Sequence, residues 1–276
     1  MQHLIRLDNY TKEDVFEIFR IADEVKEGKY GNFLAGKTVL LFFPNSSIRT
    51  RVAFEKGVHM LGGETILFPP DALDKREKME DVVKYLNNWV DVAVIRHKDI
   101  GVLEEIATYA AFPVINALTD VNHPCEIISD LYAFSKVRNH FCNDRFLFVG
   151  AKGNVGETWQ EAARVMGFEL RQCCPKGYEI EGVEVIRDLR DAVKGTDIVC
   201  TDSLTHGELH AFKNYQVTME IMNLANGGAM FNPCPPFYRG EEVAEDLVNS
   251  PYFVGYEFKG HLLEVHQAIL IFSLLH

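Results

Sequence analysis

Short apolar runs alternate with amphipathic stretches along nearly the whole chain. Thr11 reads as a helix N-cap with Asp14 in the capping-box position, and Val15, Ile18, Phe19, Ala22 and Val25 then recur at helical spacing. Residues 38–43 (TVLLFF) predict a buried strand, and 47–61 a helix closed by Gly62 and Gly63. Further strands are expected at 65–68, 91–95 and 113–117, with helices near 77–89, 102–111 and 124–137. A second series follows the polar stretch 138–145. Its strands are expected at 146–150, 169–174, 197–201 and 229–232, and its helices at 156–166, 188–194, 240–248 and 261–275. Strands alternating with helices imply parallel sheets covered on both faces. The expected fold class is therefore α/β, in two domains of comparable size joined near residue 138.

In open parallel sheets, ligands bind beyond the carboxyl ends of the strands. Composition limits what those ligands are. The 28 Lys and Arg against 40 Asp and Glu give a net charge of −12. That balance argues against nucleic acid and anionic membrane, which need a concentrated basic face, but leaves room for a small anion in a local positive pocket. No apolar run approaches the ~20 residues needed to span a bilayer. The start of the chain has no basic segment followed by an apolar core, so no signal peptide is expected. Cys125, Cys142, Cys173, Cys174, Cys200 and Cys234 form no C-x-x-C pair and no metal spacing. This favours a reducing cytoplasm and no metal site.

The most informative segment is Ser46-Ser47-Ile48-Arg49-Thr50-Arg51, directly after strand 38–43 and at a helix start. A helix N-terminus already carries a partial positive charge and unpaired N–H groups. Two arginines there are unfavourable unless an anion occupies the site. With the hydroxyls of Ser47 and Thr50 they make a phosphate cradle; the plainer reading is an N-capping serine beside solvated arginines. Arg96 and His97 end strand 91–95, His123 and Glu126 open the helix after strand 113–117, and Lys75 lies in the charged loop DALDKREK. Singly these read as a surface cation, a capping histidine and a solvated lysine. Together they put cations and donors at the ends of consecutive strands.

In order, the chain supplies SSIRTRVAFE, DKREKMEDVV, VIRH and NALTDVNHPCEIISD, then FVGAKGNVGETWQEAARVMG, TDIVCTDSLTHGE and FNPCPPFYRGEEV. These segments resemble, in order and spacing, the motifs of the aspartate/ornithine carbamoyltransferase family, and the second half is closer to the ornithine branch. The resemblance implies transfer of the carbamoyl group of carbamoyl phosphate to an amine, with no cofactor. It implies that Ser47, Ile48, Arg49, Thr50, Lys75, Arg96, His123 and Glu126 form the carbamoyl-phosphate site, with Arg96 and His123 donating to the carbonyl oxygen. Asn154, Asp202, Cys234 and Pro235 would hold the amine substrate, with Cys234 beside the attacking nitrogen. Arg49, Arg96, His123 and Cys234 are the expected catalytic set. Lys75 matches a lysine contributed from a neighbouring subunit, which implies a homotrimer or a multiple of trimers. The domains expected on this basis are 1–137 with the C-terminal helix 259–276, and 138–258.

Several positions depart from the family pattern. Glu126 stands where the family has Gln, Ile48 replaces a Thr, and Pro233 replaces the histidine of H-C-L-P. The S-M-G loop shortens to Thr205-His206-Gly207, and His261-Leu262 aligns with an Asn-Arg pair. Such changes imply an ammonium-bearing amino acid or diamine that differs from ornithine in length or end group. Glu126 and the lost arginine also support an alternative, a non-catalytic member with a binding or regulatory role. A dinucleotide site is disfavoured, because the glycines at 150, 153 and 156 run G-x-x-G-x-x-G and the next strand ends without a ribose-binding acid.

Overall fold

Helix α1 (Lys12–Lys26) begins as its sequence dictates. Thr11 accepts from the Asp14 N–H while the Asp14 carboxylate accepts from the Thr11 N–H, closing a capping box. The computed structural model describes every residue from Met1 to His276 and divides them into two units, Met1–Ala133 with Gly260–His276, and Phe134–Lys259.

In the first unit β1 (Thr38–Phe42), α2 (Ile48–Met60), β2 (Glu64–Phe68), α3 (Met79–Leu86), β3 (Val92–Arg96), α4 (Ile100–Tyr109) and β4 (Val114–Leu118) follow one another, and α5 (Pro124–Val137) comes next. The sheet order is β2-β1-β3-β4, with every pairing parallel. Alternation sends Leu40, Phe42, Ala93, Ile95 and Val114 to one face, where they join Val83, Leu103 and Ile106 of the helices. Val39, Leu41, Val94 and Ile115, one residue out of phase, are also buried. Both faces of β1, β3 and β4 are therefore covered, the condition under which parallel sheets are stable, while the edge strand β2 stays exposed.

The second unit runs β5 (Arg145–Val149), α6 (Asn154–Met166), β6 (Glu169–Cys173), β7 (Glu184–Val185), α7 (Leu189–Ala192), β8 (Ile198–Thr201), α8 (Met219–Met222), β9 (Met230–Pro233) and α9 (Gly255–Lys259). Its parallel sheet has the order β7-β6-β5-β8-β9. Leu147, Val149, Val199 and Phe231 bury one face, and Phe146 carries an aromatic cluster with Trp159, Phe168 and Phe134 on the other. Gly156 lets α6 settle onto the sheet: a Cβ there would lie 2.8 Å from both Phe148 and Ile180. The last helix, α10 (Leu262–Leu275), packs on α1 and α2 of the first unit, where the Gln267 amide donates to the Gly57 carbonyl.

The fold class is the α/β one expected from the alternation, and the differences lie in short elements. Residues 240–248 are not a helix. The Gly240 N–H donates to the Val243 carbonyl, Val217 donates to Glu242, and Ala244 donates back to Val217. These cross-chain bonds take the groups a helix would need, and Gly240 at φ +88° turns the chain where a helix would continue. The helix expected at 188–194 is the single turn α7, while α8 and the two-residue β7 are too short to leave a periodic signature.

Candidate active site

The carboxyl ends of β1, β3 and β4 lie side by side because those strands are paired in parallel. Each is followed by part of the expected carbamoyl-phosphate set. After β1 the chain turns into α2 at Ser47, whose side chain makes no capping bond to the helix. The hydroxyl instead accepts from Arg96 Nη1 at 3.1 Å, and Ser47 is only 4% exposed. Ser47 therefore does not cap α2 but joins the helix start to the end of β3. Thr50 is buried beside it, Arg49 is exposed, and Arg51 pairs with Glu55 one turn along. No acidic residue occupies the first turn of α2. Ile48 differs from its neighbours. Its side chain is 70% exposed, and its N–H already donates to the Ser46 carbonyl.

Arg96 sits where the β3–β4 register shifts, between Ile95 and Arg96, so its half-buried side chain leaves the ladder at an irregularity. His123 precedes Pro124 at the start of α5, and both His123 and Glu126 are buried. His123 Nε2 lies 3.8 Å from Glu126 Oε2. Between them, Cys125 donates its thiol hydrogen to the Asn116 carbonyl, and burial with the neighbouring Glu126 charge pushes that thiol far up. It stays a neutral thiol and carries no nucleophile. Lys75 is exposed in the loop after a 3₁₀ turn, Pro70–Leu73.

The turn that delivers His123 is held by residues the sequence reading passed over. Asn116, Thr119 and Asn122 are fully buried. Asn116 Nδ2 donates to Asn122 Oδ1 at 2.6 Å and to the Ile5 carbonyl at 2.9 Å; Asn122 Nδ2 donates to the same carbonyl at 3.0 Å. The Thr119 hydroxyl donates to Asn122 Oδ1 and accepts from the N–H groups of Val121 and Asn122. Buried amides held this way leave the turn one conformation, which fixes where His123 stands. The available signal was a strand that ends in polar residues instead of continuing its apolar run.

In the second unit three adjacent strands supply the other set. Asn154 opens α6 after β5, Asp202 follows β8, and Cys234 and Pro235 follow β9. The Asp202 carboxylate accepts from the Ser203 N–H at 2.8 Å, which orients it, and it remains half-buried. Cys234 is buried, and its N–H donates to the Thr201 carbonyl at 2.9 Å, extending the β8–β9 ladder by one bond. The shortened loop has a closure of its own. Glu208 Oε2 accepts from both the N–H and the hydroxyl of Thr205 at 2.8 Å, so Thr205-His206-Gly207 is a tied turn. The structure thus joins Ser47 to Arg96 and sets His123 beside Glu126, leaves Arg49 and Lys75 exposed, and places Asn154, Asp202 and Cys234 after the carboxyl ends of β5, β8 and β9.

Two family models cover nearly the whole chain, the second of them running on into α10, which packs with the first unit. The aspartate/ornithine carbamoyltransferase carbamoyl-P binding domain matches residues 2–136, and the Asp/Orn binding domain of the same family matches residues 143–273. The ornithine carbamoyltransferase of Desulfotalea psychrophila is 34% identical over 97% of each chain, and that of Geobacter metallireducens 32% over 98%. Among solved structures, ornithine carbamoyltransferase from Burkholderia thailandensis superposes with a TM-score of 0.93 at 29% identity, covering 100% of this chain and 99% of its own. The enzyme from Pyrococcus furiosus gives 0.93 at 28% identity, covering 99% and 97%.

Proposed function

The chain belongs to the aspartate/ornithine carbamoyltransferase family and is a carbamoyltransferase; on that premise we propose how its residues divide the work and what its amine is. The phosphate of carbamoyl phosphate sits on the N-terminus of α2, gripped by Ser47, Arg49 and Thr50. The observation that carries this is the Arg96–Ser47 hydrogen bond, which turns the Ser47 hydroxyl away from capping α2, so that an anion would meet the helix start beyond Ile48, whose own N–H donates to Ser46. Arg96 and His123 donate to the carbonyl oxygen, where negative charge grows as the nitrogen attacks. Ile48 contributes chain position only, since its side chain is exposed.

The reaction asks for positioning and electrostatics, because the phosphate leaving group already activates the carbonyl. The neutral amine forms a C–N bond to the carbonyl carbon, the C–O bond to phosphate breaks, and the proton shed by nitrogen leaves with the phosphate. Asp202 pairs with an ammonium on the acceptor, Asn154 and Pro235 shape its amino-acid end, and Cys234 lies beside the attacking nitrogen. An acceptor carrying a second ammonium suits a carboxylate at Asp202. The tied Thr205-His206-Gly207 turn makes that acceptor differ from ornithine in length or end group, since one deleted residue moves backbone by up to ~3.5 Å. A panel of ornithine, shorter and longer diamino acids, and diamines, assayed with carbamoyl phosphate, tests this. One non-ornithine member is expected to give the highest kcat/KM, and ornithine outperforming every other amine would refute it.

Glu126 accepts a hydrogen bond from the carbamoyl amino group and supports His123 electrostatically from 3.8 Å. Glutamine keeps the acceptor oxygen and the shape but removes the charge. Glu126→Gln is expected to lower kcat/KM by about tenfold or more, about 1.4 kcal/mol. Unchanged kinetics would show that only the acceptor oxygen is used.

A homotrimer with shared sites completes the reading. Ile66, Leu67 and Phe68 are exposed on β2, the edge strand of the first sheet, and Ile48, Val52 and Met60 are exposed on α2 beside it. An uncovered edge strand with an apolar surface is what a subunit contact would bury. Lys75, in the loop after β2, would then reach a neighbour's carbamoyl phosphate. No helix is long and apolar enough to cross a membrane; the cytoplasm, where thiols stay reduced, suits a chain with six cysteines.

A further inference from the structure

Arg96 and His97 are consecutive at the end of β3, yet they serve different loops. Arg96 reaches Ser47. His97 reaches Asp74, the residue before Lys75: its Nε2 lies 3.1 Å from Asp74 Oδ1. The imidazole is 4% exposed, whereas the Asp74 carboxylate is about half exposed.

The ring is fixed before it meets Asp74. The Asp99 N–H donates to His97 Nδ1 at 3.1 Å. The Asp99 carbonyl oxygen lies 3.2 Å from the same nitrogen, so the Asp99 backbone brackets that side of the ring; on the other side a carboxylate can only accept, so Nε2 donates to Asp74. Asp99 is itself held as the N-cap of α4, accepting from the Gly101 N–H at 2.8 Å. The His97 N–H donates to the Leu118 carbonyl on β4 at 3.1 Å. The imidazole is thus bolted to the sheet and to the start of α4, and its one remaining bond goes to the lysine loop.

That loop needs an anchor. Residues 74–78 are exposed, and Leu73 is the last buried residue before them. The Lys75 N–H donates to the Leu73 carbonyl at 3.0 Å, so Lys75 stands directly after the Leu73–Asp74 pair. Leu73 fixes the loop's root by apolar burial, and a hydrogen bond to a carboxylate adds direction, which burial lacks. An apolar side chain could fill the space of a buried imidazole, but it could not hold Asp74.

We infer that His97 is a positioning residue for carbamoyl phosphate binding: through Asp74 it fixes the turn from which Lys75 projects. This rests on the reading of Lys75 as a ligand of the neighbouring subunit's site. The test uses the assembled, full-length enzyme and measures two things. Steady-state kinetics separate KM for carbamoyl phosphate from kcat, and calorimetric titration with carbamoyl phosphate gives Kd without amine. Asp74→Ala and His97→Ala are expected to raise KM and Kd about tenfold while kcat changes less than about threefold, since a lost charge-assisted contact acts on binding. His97→Gln, whose amide N–H₂ can still donate to Asp74, is expected to bring both back within about threefold of wild type. In a Lys75→Ala background, Asp74→Ala should weaken Kd no further, because the two act through one contact.

A Lys75→Ala enzyme with wild-type Kd and kinetics removes the ground for both the lysine reading and the His97 inference. If Lys75→Ala is impaired while Asp74→Ala binds normally, the lysine stands and the His97 inference falls. Full additivity of Asp74→Ala on Lys75→Ala also overturns it. Should His97→Ala fail to fold, the half-exposed Asp74 variant decides the question alone.

Discussion

Arg49→Ala is expected to lose turnover by at least about a hundredfold, the scale seen when one preorganised donor to developing charge is removed. Arg49 is exposed at the positive end of α2, in a first turn with no acidic residue. It buries no apolar surface, so its truncation costs the fold almost nothing, and surface changes of this kind usually stay within about 0.5 kcal/mol. Without the guanidinium, the phosphate would face only the hydroxyls of Ser47 and Thr50 and the helix N–H groups. A charge-assisted contact of about 1.5–3 kcal/mol is lost in the ground state, and the growing charge on the phosphate oxygens loses its partner as well. The measurement pairs kcat/KM with the thermal midpoint. Turnover within tenfold of wild type would mean that the anion lies elsewhere. A large fall in Tm would mean that Arg49 is structural.

The second large effect is recovery of activity from two inactive proteins. If Lys75 completes a neighbour's site, Lys75→Ala and Arg49→Ala subunits fail for different reasons, and each carries what the other lacks. Unfolding or dissociating an equal mixture and letting it reassemble should give hybrid trimers. In these, a site built from the cradle of one variant and the lysine of the other is intact. Random assembly makes about a quarter of the sites intact, given that each site draws on two subunits of a closed ring. Activity near a quarter of wild type is the expected reading. No recovery, with mixed trimers demonstrated by mass, would place Lys75 outside the shared site; a fully active monomer in sedimentation would remove the shared site altogether.

How much of this was legible in the sequence follows from how each feature is encoded. The capping box of Thr11 and Asp14 and the buried strands were readable because they rest on neighbours in sequence and on apolar runs. The cations Arg49, Arg96 and His123 stood out because charge at the end of a buried strand is costly unless used. The amide network of Asn116, Thr119 and Asn122 was not readable: each residue is ordinary alone, and its meaning comes from closing on the Ile5 carbonyl far away in the chain. The bond from His97 to Asp74 hides for the same reason, spanning strand and loop. Residues 240–248 misled through real amphipathic spacing. The apolar positions Val243, Ala244, Leu247 and Val248 are buried as expected, but the backbone bonds go to Val217 and within the turn instead of along a helix.

The central claim is carbamoyl transfer from carbamoyl phosphate to an ammonium-bearing amine. The most direct test supplies carbamoyl phosphate labelled in its carbonyl carbon, together with the amine panel, and follows label and phosphate at once. With at least one amine the label is expected to appear in a carbamoylated product, with one phosphate released per label transferred, and Arg49→Ala is expected to do neither. Tight binding of carbamoyl phosphate with no label transferred to any amine of the panel would contradict it and identify a binding protein in place of an enzyme.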